Sequence, residues 1–197
     1  MTDIPPPKTD NPLKNKVTTL LEQINETSGE KQSALRTELL DLYLDSAERA
    51  YYSNQKTEAY QLLQRGLEHA QAFLNQGETA SSVREGVLQL YVNMGGTLGQ
   101  PPFSDAQQKL ATYQRGLEHA QAFLKQGETA SSVREPVLNL YLNMGVTLGQ
   151  APFSDAQQEL ATYQRGLEHA QAFLNQGETA SSVREQEIGR ASCRERV

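Results

Sequence analysis

Residues Arg65 to Glu85 read RGLEHAQAFLNQGETASSVRE, and the stretch returns from Arg115 to Glu135 and from Arg165 to Glu185. The starts lie 50 residues apart, and the copies differ at one position, where Lys125 stands for Asn75 and Asn175. Self-similarity at a fixed period of this size marks a repeat array, in which each unit buries its apolar face against its neighbours. The 197 residues are therefore expected to form a stack of units rather than one closed core.

The stretch itself codes for the end of one helix and the start of the next. Ala59, Leu62, Leu63, Gly66, Leu67, Ala70 and Phe73 recur at spacings of three and four, which predicts a helix over about 56–76. Gly77 follows where a helix C-terminus commonly takes a left-handed residue. Ser82 with Glu85, Ser132 with Glu135 and Ser182 with Glu185 have capping-box spacing. Pro136 agrees with a helix beginning at or just after Ser132, since a proline deeper in would clash with the carbonyl four residues back. Helices over about 82–98 and 132–148 end at Gly99 and Gly149, and Ser104 or Asp105, and Ser154 or Asp155, are placed to cap the next ones.

Upstream, Leu35, Leu39, Leu40, Tyr43, Leu44 and Ala47 form one stripe of a helix over about 32–53. Leu13, Val17, Leu20, Leu21 and Ile24 predict a short leading helix after the proline-rich residues 1–12. The expected organisation is a disordered lead-in over 1–12, a short helix over 13–30 and a helical array over 31–185. Its hairpins span about 32–76, 82–126 and 132–176, a truncated fourth starts at 182, and 186–197 form a non-native tail.

Composition narrows the function classes. The net charge is −6, with no basic cluster outside the extreme C-terminus, so the electrostatic footprint of a nucleic-acid binder is missing. No apolar run approaches the roughly 20 residues of a membrane span, and the N-terminus lacks the apolar centre of a signal peptide. A cytoplasmic protein is the expectation, and the one cysteine, Cys193, fits a reducing compartment.

The first hairpin, from Tyr43 to about Gln71, resembles a tetratricopeptide repeat. Tyr43 stands in that family's aromatic slot, Ala47 in the small slot of the first helix, Ala59 and Leu63 in the small and bulky slots of the second, and Gly66 in the second small slot. Tyr91, Met94, Gly95, Tyr113 and Gly116, then Tyr141, Met144, Gly145, Tyr163 and Gly166, match more loosely. The departures are two extra residues in each turn, the PP and AP stretches, and Lys109 or Glu159 where a small residue is expected. The family's repeat is about 34 residues, so longer helices must absorb the rest. The resemblance covers about 32–185 and implies an all-α, right-handed solenoid of antiparallel hairpins whose first helices line a concave groove.

Comparing 64–113 with 114–163 leaves seven substitutions. Four of them, at Gly86, Gln89, Val92 and Gly96, fall at helical steps of three or four on one face. The groove candidates are Gln89, Val92, Asn93 and Gly96 in one hairpin and Asn139, Leu142, Asn143 and Val146 in the next. Selection for recognising an extended peptide or a helix accounts for the pattern, and so does free drift of solvent-facing positions after duplication. The basic residues with which some members of the resembled family clamp a C-terminal carboxylate are missing from the neighbouring slots.

His69, His119 and His169 occupy one slot in each repeat. Zinc needs ligands converging to about 2 Å from one ion, whereas stacked units hold equivalent residues on the order of 10 Å apart. They are read as repeated surface histidines, with no metal and no cofactor. Every notable polar residue is repeated, unlike an active site, so no catalytic residue is assigned.

The last eleven residues, Glu187 to Val197, share nothing with the other copies and resemble a translated sequencing adapter. On that reading the repeat frame is cut short. The expected function is a non-catalytic scaffold for a protein or peptide partner, with neither nucleic acid nor membrane as partner. The alternative is the targeting or regulatory repeat region of a larger bacterial signalling effector or enzyme whose catalytic domain lies beyond the cut. An uncapped C-terminal face would also permit self-association.

Overall fold

A computed structural model describes residues 12–175, and among them every regular element is an α-helix. The order is α1 (Pro12–Glu26), α2 (Gly29–Tyr52), α3 (Lys56–Asn75), α4 (Ser81–Leu98), α5 (Ala106–Lys125), α6 (Ser131–Gly149) and α7 (Ala156–Asn175). The lead-in over 1–11, the expected fourth hairpin and the adapter-like tail lie outside the described residues.

Each long helix exists because its apolar residues recur on one side. In α2 the stripe Leu39, Leu40, Tyr43, Ala47 and Ala50 is buried, and in α3 the stripe Ala59, Leu62, Leu63, Gly66, Ala70 and Phe73. The short turns fold α2 on α3, α4 on α5 and α6 on α7 as antiparallel hairpins. The first helices also touch one another, α2 against α4 and α4 against α6, whereas α3 and α5 make no contact. α4 thus lies among α2, α3, α5 and α6, which is why Val83, Val87, Leu88, Leu90, Met94 and Leu98 are all buried on an 18-residue helix.

Close approach of the layers depends on small residues facing aromatic ones. A Cβ on Gly95 would lie 2.2 Å from the Tyr113 ring, and one on Gly145 would lie 2.3 Å from that of Tyr163. Gly66 in the same way meets Leu90 and Tyr43, and Gly116 meets Leu140 and Tyr91. Tyr113 is almost wholly buried, and that burial pushes its hydroxyl well above the ordinary tyrosine range.

The turns are built differently from the sequence expectation. Gly77 and Gly127 are left-handed, each with φ +83°, as a helix C-terminus asks of glycine. The capping box does not form: α4 begins at Ser81 behind Ala80, with no side-chain cap, and the Ser82 hydroxyl meets that of Thr37 at 2.8 Å. Glu78 instead orders the residues just ahead of the helix, its Oε1 accepting from the amides of Thr79 and Ala80 at 2.9 Å each. A carboxylate meets these amides more strongly than a hydroxyl, because its hydrogen bonds are charge-assisted. α6 likewise begins at Ser131, and Pro136 stands inside its early turns, where Val133 N donates to Ala130 O at 3.2 Å. At the other turn the choice falls on the aspartates: Asp105 accepts from Gln108 N at 2.8 Å and Asp155 from Gln158 N at 2.9 Å.

Glu78 is also tied to the helix before it. Arg36 donates to it from α2 at 2.9 Å, and Ser33 donates to both carboxylate oxygens. The second hairpin repeats the cluster, with Arg84 donating to Glu128 at 3.0 Å beside Ser81. Arg36, Arg84 and Arg134 each lie over a phenylalanine ring, Phe73, Phe123 and Phe173, about 5 Å from its centroid.

Candidate functional site

The first helices of the hairpins carry the candidate groove residues on corresponding turns. Along α4, Gln89, Val92, Asn93 and Gly96 are half-buried and succeed one another at spacings of three, one and three. Along α6, Asn139, Leu142 and Asn143 are half-buried, and Val146 is 38% exposed. Gly86 differs from the face assigned to it: it is buried, and a Cβ there would lie 3.1 Å from Leu40 of α2, so it belongs to the packing between first helices. Pro136, its counterpart, is buried as well.

A cleft of about 430 Å³ opens between α2 and α4. Gln89, Val92, Asn93 and Gly96 line it, and Asn143 reaches it from α6; Asn139, Leu142 and Val146 lie outside its lining. Leu63, Tyr113, Ala47 and Thr97 are its buried parts. Gln89 Nε2 donates to Asn93 Oδ1 at 3.2 Å, and Thr97 Oγ1 donates to Asn93 O at 2.9 Å, so the polar wall is held in place by its own helix.

The other wall escaped sequence reasoning. α2 supplies Leu44, Asp45, Glu48, Tyr51 and Tyr52, with Tyr52 78% exposed at the mouth. Comparison of the faithful copies cannot find these residues, because α2 is not one of them. A signal was present at a shift of 48 residues, which sets Ser33, Arg36 and Tyr43 over Ser81, Arg84 and Tyr91. The same shift sets Asp41, Leu44, Asp45 and Glu48 over Gln89, Val92, Asn93 and Gly96. The wall changes from acidic on α2 to neutral on α4. Burial, then the neighbouring charges of Asp45 and Glu38, push the Asp41 carboxyl above the usual carboxylate range.

The three histidines are half-buried and stacked, where repeated surface residues were expected. His69 lies on Tyr43 with ring centroids 5.6 Å apart, His119 on Tyr91 at 5.4 Å and His169 on Tyr141 at 5.2 Å. Phe73, Phe123 and Phe173 flank the same rings at 6.0 to 6.3 Å. Burial holds each imidazole below its ordinary pKa, against the opposing pull of the adjacent glutamate. Among the described residues no three His, Cys, Asp or Glu side chains gather where a metal ion would sit.

The comparisons correct the family resemblance. A FIVAR domain matches residues 145–191, and no tetratricopeptide family matches any part of the chain. The small-and-aromatic packing that suggested the latter is present, but it is a general solution for closely approaching helices and does not identify a family. The match takes in the end of α6 and all of α7 and runs on into the adapter-like residues. Neither a curated protein nor a solved structure matches the chain. Among the described residues no helix is long and apolar enough to cross a membrane.

Proposed function

We propose that this chain is a non-catalytic interaction scaffold, a right-handed solenoid of helical hairpins that binds a peptide or helix of a protein partner along the face of its first helices. The observation that carries the proposal is the cleft between α2 and α4, whose lining includes the positions at which otherwise faithful repeats disagree. Clefts with an apolar floor and a few fixed polar groups are the usual form of a recognition site. The Asn93 and Asn143 amides suit a peptide backbone, which offers both donors and acceptors. A FIVAR domain, a kind associated with bacterial cell-wall and adhesion proteins, is compatible with a non-catalytic binding role.

The test exchanges Gln89→Asn, Val92→Leu and Gly96→Val together, which rewrites α4 with the side chains of α6. Affinity for a partner captured with the unaltered protein is then measured by calorimetry. A loss of tenfold or more supports the reading. Unchanged affinity and selectivity, with unchanged helicity, would show that this face does not set recognition.

A further inference from the structure

We propose that the occupant of this groove is a segment of a partner protein with lysine or arginine at the end that lies over α2 and aliphatic side chains at the end that lies over α6. The proposal rests on the groove reading above and adds the chemical class and the orientation of the ligand.

The equivalent slots of the three first helices differ in charge. On α2 they hold Asp41, Leu44, Asp45 and Glu48, on α4 Gln89, Val92, Asn93 and Gly96, and on α6 Asn139, Leu142, Asn143 and Val146. Three carboxylates at one end give way to none in the middle. At the other end an exposed valine stands where α2 has Glu48. None of these twelve slots holds a lysine or arginine. Asp45 and Glu48 line the 430 Å³ cleft beside the exposed Tyr52 ring, while the Tyr51 ring already carries the Lys56 ammonium 3.0 Å from its centroid; carboxylates next to an open aromatic face suit an ammonium or guanidinium group.

Internal cations leave most of this charge uncompensated. Lys16 reaches Glu38 at 3.5 Å, and Arg49 reaches Asp45 at 3.9 Å with both side chains largely exposed. No ion pair involves Asp41 or Glu48 among the described residues. Crowding with Asp45 and Glu38 already penalises the charge on Asp41 after burial is counted. A ligand cation would relieve it, whereas an acidic ligand would add to it. Successive first helices lie on the order of 10 Å apart, so the three are spanned by about seven extended residues.

The experiment titrates the ¹⁵N-labelled protein with three synthetic peptides, KKQQQLL, QQQQQLL and EEQQQLL, following groove amides by NMR up to millimolar peptide. The expected result is that the lysine peptide binds at least tenfold more tightly than the glutamate peptide. That preference should shrink severalfold in 0.5 M salt and in Asp45→Asn/Glu48→Gln, while Val146→Asp weakens the lysine and glutamine peptides alike. Equal affinity for the three peptides, or a lysine preference untouched by the double substitution, overturns the charge assignment. No shift with any peptide overturns it too. The groove itself is judged separately by the three-residue exchange on α4, so failure of the charge assignment is distinguishable from failure of the groove.

Discussion

Arg36 on α2 and Glu78 in the turn after α3 are 42 residues apart in sequence, yet their side chains meet at 2.9 Å with 5% and 9% of each residue exposed. The pair locks the first helix of a hairpin to the turn that launches the next hairpin, and Arg84 with Glu128 repeats the device one layer on. Ser33 and the Thr79 and Ala80 amides satisfy the remaining carboxylate lone pairs. On the arginine side the buried Nε of Arg36 and of Arg84 has no hydrogen-bond partner among the described residues, so the cost of breaking the pair comes mainly from the charge it would strand.

Glu128→Ala should therefore destabilise the array by about 3–5 kcal/mol, since Arg84 would stay buried without its carboxylate. Replacing both partners, as Arg84→Met with Glu128→Leu, should restore most of that loss. Urea denaturation of the two variants checks it. If the single and double variants lose equal stability, the cost does not come from a stranded charge.

Stability should fall in two stages on acidification. The three imidazoles are held below their ordinary value of 6.5, so the unfolded chain takes up protons first. Their contribution is complete above about pH 6.5 and is lost as pH falls toward the folded-state values. For Glu78 and Glu128, burial pushes the carboxyls up, but the Ala80 or Ala130 amide, the arginine and the serine outweigh it and hold them below the ordinary 4.5. Their contribution stands above about pH 4.5 and is lost below it. A series of melting temperatures from pH 8 to pH 3 should show both stages, and only the first should flatten when His69, His119 and His169 are replaced by Gln.

The all-helical layers were legible because they follow from local pattern: apolar spacing of three and four, glycine at the left-handed positions 77 and 127, and aspartate before α5 and α7. The Arg36 and Glu78 pair was not, since nothing local marks a charged residue as buried and its partner lies in another hairpin. The capping box misled because Ser82 has the right spacing, but α4 already starts at Ser81 and the Ser82 hydroxyl meets Thr37 of the neighbouring α2 instead. The acidic wall of the cleft stayed hidden because it sits on α2, the one first helix that is not a faithful copy. The family likeness failed where packing chemistry was taken for ancestry, since any helices in close approach favour glycine beneath an aromatic ring.

Two cap substitutions separate the observed turn from the expected one. Asp105→Ala removes the side chain that accepts from Gln108 N and should cost about 0.5–2 kcal/mol. Ser82→Ala should stay within about 0.5 kcal/mol, because an exposed hydroxyl that caps nothing carries little stability. Thermal denaturation of the two proteins under one buffer suffices, and a larger loss from Ser82→Ala would reinstate the capping box.

Adjacent glycines on α4 should respond in opposite directions to the same change. At Gly95 a new Cβ would fall within 2.2 Å of the ring of Tyr113, which is almost wholly buried. Gly95→Ala should therefore cost about 1–3 kcal/mol despite the better helix former. At Gly96 a Cβ meets no atom within 4 Å, so Gly96→Ala keeps only the gain in propensity, up to about 1 kcal/mol. Shortening the ring with Tyr113→Leu should recover part of the Gly95→Ala loss and none of the Gly96→Ala gain, a coupling that a double-mutant cycle reads directly. A stabilising Gly95→Ala would mean that α4 and α5 lie farther apart than the structure has them.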